Sequence, residues 1–173
     1  MNTSEVESLI KRAFKGVQLG NGCSLRSAEE ASHWGRTEEC EDPLVYPDVK
    51  IEYDWSSLSV ETLDTYPYLA HMDAEGMRYY IPAFMLSLLA EPDTGMRFIC
   101  TLSALYPRRD GSADYTISRY ALLNQEQRCA IACYLDALPS LVELDAGDQK
   151  SIERALRNYW HEYLPKREQD CKS

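Results

Sequence analysis

The sequence predicts a mainly α protein, an irregular helical bundle, with room for one short two-stranded β hairpin. Apolar residues repeat at helical spacing in several long segments, and prolines and glycines separate those segments. The chain has 173 residues, the usual size of one domain. We therefore expect a single globular domain over residues 1–165, followed by a charged C-terminal tail over residues 166–173.

The longest apolar stretch, residues 77–90, is the predicted centre of the core. Pro82 interrupts it, since proline has no N–H to donate and disfavours the α conformation of the residue before it. We expect two helical pieces, 74–81 and 82–90, that meet at a kink; a short strand over 77–81 leading into a helix is the alternative. The apolar residues fall at the spacing of one helical face: Met77, Tyr80, Ile81, Phe84, Met85, Leu88 and Leu89.

Three segments in the first half of the chain also carry helical signals. Residues 4–15 begin with Ser4 and Glu7 in a capping-box pattern, followed by one apolar stripe. A weaker helix is predicted over 24–34, and two short helical turns separated by a proline are predicted over 56–72.

Two helices are predicted near the C-terminus. Asn124 and Gln127 should cap the first, which Pro139 should end. This helix is apolar on nearly all sides, so we expect it to be buried against the central stretch. The last helix should begin near Asp148, carry an aromatic stripe and end at Pro165.

Residues 96–106 fit both a helix and a strand, because their apolar residues satisfy both spacings. Residues 115–118, with the sequence Tyr-Thr-Ile-Ser, have strand chemistry. The hairpin would therefore pair residues 97–102 with residues 115–119.

The charge balance excludes several classes of partner. The net charge is −10 and the isoelectric point is near 4.8, and the basic residues form only isolated pairs such as Arg108-Arg109. A phosphate backbone or an anionic lipid surface would be repelled, so we expect no nucleic-acid or membrane binding. A basic protein would be attracted and would associate faster.

The cysteines and the first residues predict a cytoplasmic protein. The six cysteines form no CxxC pair and no framework typical of small secreted domains. The polar, acidic start lacks the features of a signal peptide, and no apolar run is long enough to span a bilayer. We expect free thiols in a reducing compartment.

The acidic segment, which we define as residues 38–54, is the strongest candidate for a binding surface. It carries seven carboxylates and only one basic residue, Lys50, within a loop predicted over residues 35–54. A loop this long in a compact domain is usually functional or disordered. A plain solvated loop that packs back on the core is the alternative. The candidate contacts are the carboxylates, with two aromatic residues as apolar anchors: Glu38, Glu39, Glu41, Asp42 and Asp48, with Tyr46 and Trp55.

Motifs for catalysis and metal binding are incomplete. His161-Glu162 resembles the start of HExxH, but Pro165 stands where the second histidine is needed. Cys129 and Cys133 lie one helical turn apart and are expected to be small buried apolar residues. The sequence also lacks a GxSxG elbow and phosphate-binding glycine motifs. We therefore expect no catalytic residue, no metal and no cofactor.

Three blocks of residues resemble a family of uncharacterised bacterial proteins. They are residues 78–85 (RYYIPAFM), residues 122–127 (LLNQEQ) continuing to Ile131 and Leu135, and Ala155-Leu156 with Tyr159-Trp160. With the first helix, the resemblance extends over residues 5–160. It implies a bacterial source and a shared fold, and it transfers no catalytic residue.

The expected function is a non-catalytic protein-binding domain, with an immunity-like or antitoxin-like role as one concrete form. Two alternatives remain open. One is a small enzyme with an unrecognised site made of His71 and nearby carboxylates, because such partners meet in space rather than in sequence. The other is an oligomeric scaffold that uses the aromatic last helix as its interface.

Overall fold

All regular structure in the described part of the chain is helical. A computed structural model describes residues 1–34, 54–92, 95–107 and 113–166. Helices, with short 3₁₀ turns included, account for 71% of these residues, which confirms the mainly α prediction.

Eight α-helices and three 3₁₀ turns lie within these ranges. The 3₁₀ turns are Trp55–Ser57, Leu69–His71 and Trp160–Tyr163. The α-helices are α1 (Thr3–Ala13), α2 (Leu25–Trp34), α3 (Val60–Thr65), α4 (Ala74–Ala90), α5 (Met96–Leu105), α6 (Ala113–Ser118), α7 (Gln125–Leu141) and α8 (Ala146–Asn158).

The predicted hairpin is not confirmed. Residues 97–102 lie within α5, and residues 115–118 lie within α6. In α5 the buried residues Phe98, Thr101, Leu102 and Leu105 recur at helical spacing. The helical alternative for residues 96–106 is therefore correct, and the strand chemistry of 115–118 is overridden by its tertiary setting.

The helix start signals were predicted correctly in α7 and incorrectly in α1. Asn124 and Gln127 form the predicted capping box of α7. In α1 the box is formed by Asn2 and Glu5, two residues before the predicted Ser4. Asn2 and Ser4 each begin a polar-x-x-Glu pattern, and asparagine is at least as good a cap as serine.

Pro82 does not divide its helix and Pro139 does not end its helix, contrary to expectation. Pro82 lies inside α4, which runs from Ala74 to Ala90 as one helix. Pro139 lies in the last turn of α7, which continues to Leu141. Each proline removes one backbone hydrogen bond, at a cost of about 3 kcal/mol in a helix interior. Burial of the surrounding turns outweighs this cost, above all in α4, where Pro82 itself is buried.

One hydrophobic cluster extends from Val6 in α1 to Trp160 near the C-terminus. α4 is its most buried helix, as predicted, and it contacts α1, α5 and the 3₁₀ turn Trp55–Ser57. α7 packs most extensively on α1 rather than on α4. The pairing predicted for α7 is therefore wrong, although its burial is confirmed.

The C-terminal helix is shorter than predicted. Asp145 caps α8, which ends at Asn158, and the aromatic residues that follow form the 3₁₀ turn Trp160–Tyr163. The two short turns predicted over 56–72 are α3 and Leu69–His71. Of the predicted tail, residues 167–173 lie outside the described residues. The extent of the single domain stays a prediction.

Candidate functional site

Most of the predicted binding residues lie outside the described part of the chain. These are Glu38, Glu39, Glu41, Asp42, Tyr46 and Asp48. Trp55 is described and is a core residue: it is 4% exposed, and its indole Nε1 donates to the carbonyl oxygen of Phe14 at 3.0 Å. It is therefore not available as an exposed anchor in this conformation.

The core holds the chain on both sides of the acidic segment. On the C-terminal side, the Asp54 carboxylate caps the turn Trp55–Ser57 by accepting from the N–H of Ser56 at 2.9 Å. On the N-terminal side, α2 packs on the turn Leu69–His71. Just before α2, the N–H of Cys23 donates to the Asp73 carboxylate at 3.2 Å.

Asp73 lies two residues after His71 in the sequence, but its side chain has a structural role. It accepts from the N–H of Gly76 at 2.7 Å, which caps α4, and from the N–H of Cys23. The two backbones approach so closely that a Cβ on Gly76 would lie 2.7 Å from the carbonyl oxygen of Cys23. The carboxylate therefore fastens the segment before α2 to the start of α4.

His71 is exposed at the end of its 3₁₀ turn and has no carboxylate partner among the described residues. Partial burial and the nearby Arg119 guanidinium lower its pKa below the ordinary value. The Tyr68 ring lies 6.5 Å from the His71 ring, centre to centre. A histidine–carboxylate catalytic pair is therefore not assembled within the described residues.

The thiols of α7 are not activated. Cys133 is buried, and burial followed by the neighbouring Cys129 raises its pKa to about 12. A thiol with such a pKa is not a nucleophile at neutral pH. Within the described ranges, no three His, Cys, Asp or Glu side chains are grouped closely enough to hold a metal ion.

Among the described residues, Arg97 and Arg119 are arginines buried in the core, and neither was predicted from the sequence. Arg97 is 3% exposed; its Nε lies 2.9 Å from the Asp64 carboxylate, and its Nη2 donates to the carbonyl oxygen of Glu91. Arg119 is 4% exposed and donates from Nη1 to the carbonyl oxygen of Leu69 at 2.9 Å. No periodicity or motif marks a single arginine as buried, so its sequence context carries no signal.

A third arginine organises the aromatic residues near the C-terminus. Arg128 donates from Nη2 to the carbonyl oxygen of Tyr120 at 2.7 Å and from Nε to that of Leu123 at 2.9 Å. Its Nη1 donates to the hydroxyls of Tyr159 and Tyr163. These bonds use all three guanidinium nitrogens inside the protein.

The aromatic rings proposed as an oligomer interface are used within the chain. Trp160 is fully buried, and its indole Nε1 donates to the carbonyl oxygen of Leu105 at 2.7 Å. The centre of the Trp160 ring lies 4.8 Å from the centres of both the Tyr120 ring and the Tyr159 ring. The Tyr120 and Tyr159 rings lie 5.2 Å from each other. The scaffold alternative therefore loses its main apolar surface.

No described helix combines the length and the apolar character that crossing a membrane requires.

Comparison with known proteins yields one assignment. No curated protein and no solved structure matches the chain at a significant level. One family model, described as a family of unknown function (DUF6714), matches residues 2–164. This confirms the expectation of an uncharacterised family, and the chain therefore belongs to DUF6714.

Proposed function

We propose that this chain is a protein-binding domain that recognises a basic protein partner through its acidic segment. The observation that carries the proposal is the concentration of charge, seven carboxylates against one lysine within residues 38–54. Glu38, Glu39, Glu41, Asp42 and Asp48 supply the charge contacts, and Tyr46 supplies the apolar anchor. Complementary charge raises the association rate and discriminates among partners.

The way the segment joins the core supports this role. α2 and the buried Trp55 hold its two ends on packed elements. A binding segment tethered at both ends loses less conformational freedom on association than a free tail, which favours affinity.

The placement of the arginines supports the choice of a basic partner. Arg97 and Arg119 are buried, and Arg128 bonds to groups of its own chain. These three guanidinium groups are therefore buried or bonded within the chain, which leaves fewer exposed cations to repel a basic protein partner.

The most concrete form of the proposal is an immunity-like or antitoxin-like protein in a bacterial cytoplasm. Such a protein would block a basic toxin by covering its cationic surface. The proposal requires no catalytic group in this chain.

Affinity capture would identify the partner. The tagged chain is incubated with an extract of its own cells at low salt, and bound proteins are identified by mass spectrometry. We expect one basic protein that elutes as salt rises, because salt screens contacts between exposed charges. Recovery of only neutral or acidic proteins, retained at high salt, would contradict the proposal.

Charge reversal then tests the segment itself. Replacing Glu38, Glu39 and Glu41 by lysine should weaken binding of the captured partner by about tenfold or more, mainly through the association rate. Surface plasmon resonance measures both rate constants.

A second triple variant, with Glu143, Glu153 and Glu162 replaced by lysine, is the matched control. These glutamates are exposed on α8 and its neighbouring segments, and their reversal changes the net charge by the same amount. Equal weakening by both variants would show a general charge effect and would reject the segment as the contact.

A further inference from the structure

Arg119 is a buried cation whose guanidinium is only partly satisfied. Its Nη1 donates to the carbonyl oxygen of Leu69, and its Cζ lies 5.3 Å from the centre of the Tyr115 ring. Its Nε is buried and has no hydrogen-bond partner among the described residues. A guanidinium has five N–H donors in a planar fork, so the described part of the chain leaves most of the donors of Arg119 unused.

The described residues place no carboxylate within ion-pair distance of Arg119, in contrast to Arg97, which has Asp64 at 2.9 Å. A buried charge is costly unless it is paired. Burial lowers the pKa of Arg119, but an arginine stays protonated at neutral pH. The site therefore holds a positive charge for which the described residues supply no counter-charge.

The groups around this guanidinium reach the surface. Tyr115 is 50% exposed, and His71 is exposed two residues after the carbonyl that Arg119 contacts. The Tyr68 ring lies 6.5 Å from the His71 ring, centre to centre. The cluster thus joins a fixed cation, a histidine that can become a second cation, and two aromatic residues.

We propose that Arg119, His71, Tyr115 and Tyr68 form a binding site for the oxyanion group of a small molecule, a phosphate or a carboxylate. Arginine forks match the oxygens of both groups with paired hydrogen bonds. The imidazolium form of His71 would add a second charge contact. The proposed site uses none of the residues of the acidic segment, so either proposal can fail without the other.

The test follows the titration of His71 by NMR in the intact chain. Its pKa is measured in chloride, in sulfate as the phosphate probe and in acetate as the carboxylate probe, all at equal ionic strength. In chloride we expect a pKa below the ordinary value of 6.5. A bound anion favours the imidazolium, so sulfate, acetate or both should raise the pKa of His71 and shift its resonances saturably.

His161 is an internal control in the same spectra, because it is exposed at a different place in the fold. Its resonances should show no saturable shift in any of the three salts. The variant Arg119→Lys keeps the charge but loses the fork, and it should weaken binding by about tenfold.

The variant His71→Asn is the second test in case Arg119→Lys does not fold. It changes an exposed side chain, so we expect it to preserve the fold. Its binding is followed on the backbone amides of residues 115–119, where weaker saturation is expected. The proposal is overturned if His71 and His161 respond alike to all three salts, or if both variants bind the anions as the wild type does.

Discussion

At the scale of single residues, two buried tyrosines provide a matched comparison. Tyr120 is fully buried, and its hydroxyl donates to the carbonyl oxygen of Ala104 at 2.6 Å. Tyr134 is 1% exposed, and its buried hydroxyl has no hydrogen-bond partner within the described ranges. Burial raises the pKa of both phenols, so both remain neutral.

Replacing each tyrosine by phenylalanine should have opposite consequences. Tyr120→Phe leaves the carbonyl of Ala104 without its donor, and we expect the free energy of unfolding to fall by about 1–2 kcal/mol. Tyr134→Phe removes a polar group that has no partner, so the free energy of unfolding should stay the same or rise by up to about 1 kcal/mol.

Urea unfolding followed by circular dichroism measures both changes. Each variant is the control for the other, because the same atom is removed from the same residue type at a buried position. A larger loss in Tyr134→Phe than in Tyr120→Phe would show that the hydroxyl of Tyr134 is satisfied in solution.

At the scale of helices, local signals predicted the elements better than their ends. The cap of α7 was predicted because only one polar-x-x-Gln pattern precedes it, whereas α1 offers two overlapping patterns. The prolines of α4 and α7 were misinterpreted because a local rule cannot weigh one lost hydrogen bond against the burial of a whole turn. The strand alternative for α5 was wrong because a short apolar run satisfies both the helical and the strand spacing, so the local sequence cannot decide between them.

The two cap residues Asp145 and Asp73 give a prediction at this scale, because Asp73 also accepts a hydrogen bond from a distant segment of the chain. Asp145 bonds only to N–H groups of its own helix, those of Gly147 and Asp148. Asp73 caps α4 and also accepts from Cys23, which is 50 residues away in the sequence.

Asp145→Ala should lower the free energy of unfolding by about 1 kcal/mol, the usual cost of a lost cap. Asp73→Ala should cost about 2 kcal/mol or more, because a tertiary hydrogen bond is lost with the cap. Asp73→Asn retains an accepting oxygen and should recover part of the loss. Thermal unfolding compares the three variants, and equal effects of the two alanine variants would contradict a tertiary role for Asp73.

At the scale of the whole molecule, hydrophobic spacing predicted the helical class but not the internal positions of the charges. Hydrophobic spacing located the core helices because burial imposes a period on the sequence. Arg119, which directly follows α6, contacts the turn Leu69–His71. A contact between segments that are distant in the sequence leaves no periodic pattern from which it could be predicted. Trp55 shows the same limit: an aromatic residue beside an acidic run fits an interface and a core equally well.

The proposed contact of the acidic segment with a basic protein also belongs to this scale. Hydrogen–deuterium exchange of the intact chain, with and without the partner obtained by affinity capture, would locate the contact. We predict that the partner slows exchange in residues 38–48 while the core helices exchange as in the free protein. Slowed exchange elsewhere on the surface, with residues 38–48 unchanged, would contradict it.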